Sequence, residues 1–548
     1  MEKQKEIRFK FEPKISVIVP VFNTPGKFFI DTLRSVLNQT YSNWELCLVS
    51  GRSYAAQLEK KLKDHLKNDN RVRLKFIDDN KGITETLNDA ISSAEGEYLT
   101  FLYHDEVLAP FALFEVITCI NKDFELDFIY TDEDKITGYG NRRYEPHFKP
   151  EWSPDTILSC NYISHSTVIK KEIIDAVGGF RQGFDGAEDY DLILRATDRA
   201  GKIKRIPKIL YHCRDNKGSV TLNSEARENA VTSGKKAVAD FLDSKNTYKS
   251  HVSDGIVHGT YMVSYDIKSS PEVSIIIPTK DKVEVLKRCI SSVLEKTDHP
   301  NYKIVVVDNS SEEKKTFDYY RELEANTRIT ILEYNEAFNY SAINNYAVSG
   351  VDSDYIVLLN NDTEVINSGW LTRMLEHAQR KKVGAVGAKL CYPNKTVQHG
   401  GVIIGLEELV GHSHRGCSKY DPGYFGRLNI IQNLSAVTAA CMMMRREVFE
   451  EVGGLDERYS HVFNDIDLCL KMRGKGYLIV YTPYAELYHA EALSRGLDDT
   501  PEKMARLRKE VLLFQSCWDK VLKEGDPYYN PNLTHVAEDF SINIGENQ

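Results

Sequence analysis

The sequence has no CxxC pair, no P-loop, no GxGxxG, no HExxH and no GxSxG. Their absence removes the commonest signs of zinc ribbons, P-loop nucleotide hydrolysis, dinucleotide binding, zinc proteolysis and serine hydrolysis. The 10 cysteines are scattered over 548 residues, which is unlike a disulfide scaffold and suits a reducing cytosol. The first residues, MEKQKEIRFKFEPK, are charged and lack an apolar signal core. The most apolar stretch, Leu428 to Met444, is interrupted by Asn, Gln, Ser and Thr. It falls short of the ~20 apolar residues a spanning helix needs. Basic excess is missing too: 70 Lys+Arg stand against 80 Asp+Glu, a net charge of −10. That balance argues against nucleic acid as a partner and against whole-surface attraction to an anionic membrane. A soluble, cytoplasmic chain is expected.

What is present is an ordinary globular composition, 42% hydrophobic and 27% charged, on a length that calls for roughly two to four domains. The chain repeats itself. The run ending at Pro20, PKISVIVP, returns as PEVSIIIP ending at Pro278. SVLNQT (Ser35 to Thr40) returns as SVLEKT (Ser292 to Thr297), and NWELCLVS, ending at Ser50, as NYKIVVVD, ending at Asp308. YLTFLYHD, DYDL and LYH in the first half face YIVLLNND, DIDL and LYH in the second, in the same order. A repeat of this length is a duplicated domain.

Each half opens with a β-branched run that reads as a buried parallel strand. Helical segments follow near 28–38 and 285–295, then second strands near 45–49 and 303–307. Strand, helix, strand at this spacing is a βαβ unit, so each half is expected to be an open α/β sheet. The expected domains are 1–268, closing with a helical linker at 215–268, then 269–500, then a helical tail at 501–548. The tail's last residues are expected to be loose. In open α/β sheets ligands sit beyond the C-terminal strand ends, so the residues there carry the functional question.

Asp308 ends a strand, where a carboxylate can accept the imide N–H of a uracil or thymine, or simply cap a turn. Asn360-Asn361-Asp362 ends the next strand, and Asp362 is either a divalent-cation ligand against a diphosphate or one more polar loop residue. His489 and its equivalent His212 are either packed histidines or metal ligands. Asp465 and Asp467, with Asp189 and Asp191 in the first half, open helices; one of each pair can cap while the other serves as a general base.

Taken together, PTKD, VVDNSS, FNYSAINN, LNNDTEV, GAVGAKLCYP, SAVTAACMMMRR, FNDIDLCL and LYHAEALSRG resemble the inverting nucleotide-sugar glycosyltransferases of family two. The likeness runs twice through the chain, from about Pro13 to Gly496. The second half resembles bacterial rhamnosyltransferase-like enzymes of surface polysaccharide and O-antigen synthesis. The resemblance implies two tandem GT-A domains, α/β with mostly parallel sheets. It implies that Thr279, Asp281 and Asp308 hold the nucleoside of a UDP- or dTDP-sugar, with Asn360 and Asn361 at the donor. Asp362 and His489 would bind Mn²⁺ or Mg²⁺, and Asp465 would be the base of a direct displacement. The implied acceptor is a growing glycan, lipid-linked or on a glycoprotein. A lipid-linked acceptor would bring the enzyme to the inner face of the cell membrane as a peripheral protein.

The first half departs from the pattern. Ser50 stands where the second half has Asp308, and Tyr103-His104-Asp105-Glu106 replaces the acidic loop. Val21, Asn23 and Ser50 would line its donor pocket, Asp105 and His212 its metal site, and Asp189 would be its base. It keeps TDEDK (Thr131 to Lys135). Three alternatives follow: a second active site with another donor, a weakly active site, or a degenerate acceptor-binding module beside one catalytic domain. A sugar nucleotidyltransferase would need a Gly- and Arg-rich loop after the first strand, where this chain has PVFNTPGK and PTKDKVEV. A wholly non-catalytic binder is opposed by the intact second half.

Overall fold

The computed structural model describes residues 2–21, 26–55, 58–59, 62, 69–78, 82–138, 140, 142–215, 224–491 and 500–545. The chain divides into two units, one of Met1–Trp152 with Cys160–Thr247, the other of Ser153–Ser159 with Tyr248–Gln548.

In the first unit, strand Ile15–Val21 is buried along its whole length. It lies parallel to Trp44–Gly51 on one side and to Tyr98–Phe101 on the other. Val72–Ile77 extends the sheet beyond Trp44–Gly51. On the far side come antiparallel Thr167–Lys170, then Phe128–Thr137, Ile203–Asp215 and the short edge strand Val107–Leu108. The second unit repeats this order. Ile329–Glu333, Tyr302–Asp308, Val273–Thr279 and Tyr355–Leu359 are parallel neighbours. Antiparallel Cys441–Arg445, then Val383–Cys391, Leu478–His489 and Thr363–Val365 complete the path. These are the α/β sheets expected of two GT-A domains, and the order of strands is duplicated as the sequence motifs are.

The cause is legible in the residues. A continuous apolar β-branched run is stable only where both faces of a strand are covered. Helix Val283–Lys296 covers one face by burying Leu286, Cys289, Ile290 and Val293 at helical spacing. Its counterpart, Gly26–Leu37, buries Phe29, Leu33 and Val36 in the same way.

Two segments of the second unit come from outside its repeat. Helix Pro154–Ser159 carries Asp155, which is buried and accepts from Arg380 Nη1 at 2.6 Å and from Asn433 Nδ2 at 2.7 Å. The hairpin Ser250–Asp254/Tyr261–Tyr265, expected in the linker, packs here as well. Tyr248 accepts from the main-chain N–H of Lys381 at 3.1 Å, and the ring of Tyr265 meets His377 at 5.7 Å.

Helix Pro501–Glu524 starts at a Thr500 cap with proline in its first turn. Much of the stretch from Asp526 to Phe540 is packed, where a loose stretch is expected. Tyr529, Asn530, Leu533 and Phe540 are buried. Asp526 accepts from Ile404 N at 2.9 Å and from Ser435 Oγ at 2.7 Å. Among the described residues no helix is long and apolar enough to cross a membrane.

Candidate active site

In the second unit, Thr279 and Asp308 end adjacent parallel strands and stand opposite each other in register. The N–H of Asn309 donates to the Thr279 carbonyl at 2.8 Å, closing the strand ends together. The Asp308 carboxylate is buried and accepts from the Tyr320 hydroxyl at 2.8 Å and from Ser311 N at 3.3 Å. Burial, and then the Asp308 charge, push the Tyr320 phenol upward, so it stays a donor. Asp281 sits at φ 51°, an uncommon left-handed conformation for a side chain to adopt. Its carboxylate accepts from Glu312 N and Glu313 N at 2.9 and 2.8 Å, tying the loop after one strand to the loop after the next.

Asn361 joins this floor by donating from Nδ2 to Thr279 Oγ1 at 3.0 Å. Its neighbour Asp362 turns to His489. Edge strand Thr363–Val365 runs antiparallel to the end of Leu478–His489, with Thr363 opposite His489. That pairing sets Asp362 Oδ1 3.2 Å from His489 Nε2, both side chains being buried. Asn360 Nδ2 is 3.4 Å from the same nitrogen. The buried His489 Nδ1 has no hydrogen-bond partner among the described residues.

Asp465 lies in the first turn of helix Asn464–Gly474. Its oxygens accept from Ile466 N at 2.9 Å and Ala439 N at 3.0 Å. Burial pushes its carboxyl upward, against the lowering effect of hydrogen bonds from Ala439 and Thr438. An acid shifted in that direction is suited to taking a proton near neutral pH. Asp467, two residues on, is occupied otherwise: Trp518 Nε1 donates to it at 3.0 Å and Lys471 Nζ is 3.2 Å away. The helix thus separates one carboxylate held by main-chain N–H groups from one neutralised by side chains.

Neither Tyr340 nor the pair His399–His412 stands out in the sequence. The Tyr340 hydroxyl reaches Asn360 Oδ1 at 3.4 Å and the Ala439 carbonyl at 3.3 Å. A chain of contacts therefore runs from Asp465 through Ala439, Tyr340 and Asn360 to His489 and Asp362. The FNYS motif was the available signal for Tyr340. Thr438 N donates to His399 Nε2 at 3.3 Å, which leaves the His399 proton on Nδ1, 2.9 Å from His412 Nδ1. Burial holds both rings neutral, His412 being pulled down to about 4. The His412 proton is thereby fixed on Nε2. Nothing in the spacing of two isolated histidines announces this pair.

In the first unit, Val21 stands opposite Ser50, and the Ser50 hydroxyl donates to the Val21 carbonyl at 3.0 Å. Asn23 lies outside the described residues. Asp189 repeats the placement of Asp465: it opens helix Glu188–Arg199 and accepts from Tyr190 N at 2.7 Å and Asn161 Nδ2 at 3.4 Å. Burial raises its carboxyl against the lowering charge of His165. Asp191, like Asp467, is neutralised, here by Arg181 and Arg195. His212 Nδ1 is 2.5 Å from Asp134 Oδ1. Asp105 has His104 Nδ1 at 3.7 Å. Glu106, unassigned from sequence, is buried, accepts from the Tyr211 hydroxyl, and is pushed up by burial to about 7. Glu133 of TDEDK pairs with buried Lys149 at 2.9 Å.

Two duplicated α/β units, each with a half-buried Asp at a helix start beside the sheet's strand ends, define a tandem GT-A-type protein. Residues 16–178 and 274–453 match Glycosyl transferase family 2, and the chain belongs to that family. It is 42% identical over 540 residues to an uncharacterized protein, y4gI, of Sinorhizobium fredii, covering 98% of this chain and 59% of that one. It is 34% identical over 537 residues to the O-antigen biosynthesis protein RfbC of Myxococcus xanthus, covering 98% of this chain and 41% of that one. The chain thus spans about half the length of these relatives. A solved mannosyltransferase of Pyrobaculum calidifontis, in complex with GDP-Man and Mn²⁺, is 17% identical with a TM-score of 0.35, covering 56% of this chain and 79% of that one. So low a score says nothing about the site.

Proposed function

We propose that the second unit transfers a sugar from a nucleoside-diphosphate donor, UDP- or dTDP-linked, to a growing surface glycan with inversion at the anomeric carbon. Likeness to an O-antigen biosynthesis protein supports the polysaccharide setting. The observation that carries the proposal is the contact chain linking Asp465 to the 3.2 Å Asp362–His489 pair. It joins a base to a cation-binding group at the end of one sheet.

Thr279, Asn361 and Asp308 form the donor floor, where Asp308 offers a carboxylate to a base imide. Asp281 holds the two loops of that floor together. Asp465 accepts the proton of the acceptor hydroxyl as that oxygen bonds to the sugar, so no covalent nucleophile is required. Asp362 and His489 fit a divalent cation: one oxygen and one nitrogen donor lie 3.2 Å apart, and adjacent ligands of one small ion lie about 3 Å apart. A carboxylate with an imidazole suits Mn²⁺ better than Mg²⁺. Such an ion, when bound, neutralises charge developing on the leaving diphosphate. The acceptor is a lipid-linked or protein-linked glycan, met at the inner face of the membrane.

The test is a screen of nucleotide sugars for Mn²⁺-dependent release of UDP or TDP. Asp362→Ala is expected to remove most cation-dependent release. Undiminished release in excess chelator would reject the cation's role.

For the first unit, Asp189 supports a second transfer, with Ser50 in place of Asp308 altering donor choice. A hydroxyl already given to the Val21 carbonyl also favours a second reading, in which this unit binds the acceptor only.

A further inference from the structure

In the first unit the edge strand is displaced by one residue relative to the second. Val107, two residues beyond Asp105, stands opposite His212, whereas Thr363, one residue beyond Asp362, stands opposite His489. Side chains alternate between faces along a strand, so a single-residue displacement exchanges which ones meet. His212 is engaged by Asp134, which stands opposite it on the neighbouring strand Phe128–Thr137. The residues immediately following each member of the expected pair, Glu106 and Cys213, come together instead.

His165 completes the group, with Nδ1 3.4 Å from Cys213 Sγ. One ligand atom from each of Glu106, His165 and Cys213 lies within 4.8 Å of the others. Among the described residues it is the one group of three such side chains gathered this closely. Glu106 is buried and the other two are partly so. Tyr211 braces two members, donating to Glu106 and stacking on His165 with ring centres 5.9 Å apart. Ser164 sits at φ 54°, a rare left-handed conformation, in the turn that delivers His165.

We propose that Glu106, His165 and Cys213 form a zinc-type metal site in the first unit, with a hard-ion site replaced by one containing sulfur. A tetrahedral zinc ion with Zn–S near 2.3 Å and Zn–N near 2.05 Å holds those two atoms about 3.6 Å apart, close to the 3.4 Å found. Thiolate and imidazole select Zn²⁺ over Mn²⁺ or Mg²⁺, which prefer oxygen. Three protein ligands leave a fourth position for water or a substrate oxygen. On binding, the Cys213 S–H bond breaks, Glu106, pushed up to about 7 by burial, gives up any proton it carries, the protons leave to solvent, and metal–sulfur and metal–oxygen bonds form without any change of oxidation state. A difference in metal preference between the units rests on the proposed cation role of Asp362 and His489, whereas the assignment of Glu106, His165 and Cys213 does not.

Titration of the metal-stripped full chain with Co²⁺, a spectroscopic substitute for Zn²⁺, tests the proposal. One equivalent is expected to develop a near-ultraviolet cobalt–thiolate band that Zn²⁺ abolishes and excess Mn²⁺ leaves in place. The band should vanish in Cys213→Ser and persist in Cys160→Ser, His212→Ala and Asp362→Ala. Circular dichroism and thermal melting establish that each variant is folded. Should Cys213→Ser not fold, His165→Gln serves, and it should shift or weaken the band. No band in the folded native chain, a band unaffected by Cys213→Ser or His165→Gln, or equal displacement by Mn²⁺ would overturn the assignment.

Discussion

Replacing Asp465 by Asn separates the chemical role of its carboxylate from its structural one. The native carboxylate accepts from Ile466 N on one oxygen and from Ala439 N on the other. Asn retains a single acceptor, so its NH₂ must face one of those N–H groups, at a cost of about 1–3 kcal/mol for an unsatisfied donor. Against this, burial already disfavours the charged form of Asp465, and Asn removes that charge. A carboxyl raised in the folded state destabilises the fold where it is ionised, and the penalty disappears as pH falls below the unfolded value of about 3.9. The melting temperature of Asp465→Asn relative to the native chain should therefore be most favourable near neutral pH and should decline toward pH 4. Turnover is expected to fall about 10²–10⁴-fold, equivalent to about 2.7–5.4 kcal/mol of barrier, with donor KM nearly unchanged. Native turnover should rise with pH as the base loses its proton. The control is Asp467→Asn, which loosens the Lys471 and Trp518 contacts; it should lower stability more than turnover. Native turnover in Asp465→Asn together with an inactive but folded Asp467→Asn would refute the assignment.

Glu510 of the C-terminal helix accepts from Ser460 N and Val462 N at 3.1 and 2.8 Å, so Glu510→Ala should cost about 1–3 kcal/mol in a denaturant melt and lower kcat by loosening the approach to Asp465. Arg380→Ala leaves Asp155 buried without its cationic partner, with Asn433 still donating to it, and should cost about 3–5 kcal/mol. Burial raises the Asp155 carboxyl but Arg380 outweighs it and holds it low, so its stabilisation is present above about pH 3.9, is lost as pH falls through the lower folded value, and should be absent from the pH profile of Arg380→Ala. Linkage analysis of products from Asp189→Asn and Asp465→Asn should find two different linkages lost, and mixing the variants should restore the full product. An unaltered product from Asp189→Asn would make the first unit a binding module.

The strands were legible because ISVIVP and VSIIIP can only be buried, and the helices because their apolar residues recur at helical spacing. Register was not legible. The motif LYH looks identical in both halves, yet His489 faces Asp362 while His212 faces Asp134. A one-residue displacement of an edge strand leaves no mark on composition or periodicity. The C-terminal end was misread for a related reason: its polar residues suggested a loose chain. Asn530 and Asp526 are instead consumed by local and long-range hydrogen bonds, and Phe540 stacks on His414 at 4.3 Å. The long-range partners, Ile404 and His414, lie more than a hundred residues away and follow no local pattern.

Duplication accounts for what the two units share, and register for what they do not. In both, the second Asp of the helix motif is neutralised by basic side chains, Asp191 by two arginines and Asp467 by a lysine. The first Asp accepts from the main-chain N–H of the next residue in each, Asp189 from Tyr190 and Asp465 from Ile466. That division is a property of the helix start, where exposed N–H groups favour a carboxylate, and it survives sequence divergence. The Asp362–His489 contact, the proposed cation pair, depends instead on how a short edge strand is docked, three residues long here and two in the first unit. Few hydrogen bonds hold so short a strand, so its register is the cheapest part of the sheet to change. On the proposed assignments, a displacement there would change the metal ligands while leaving the parallel core and the helix-borne acid in place.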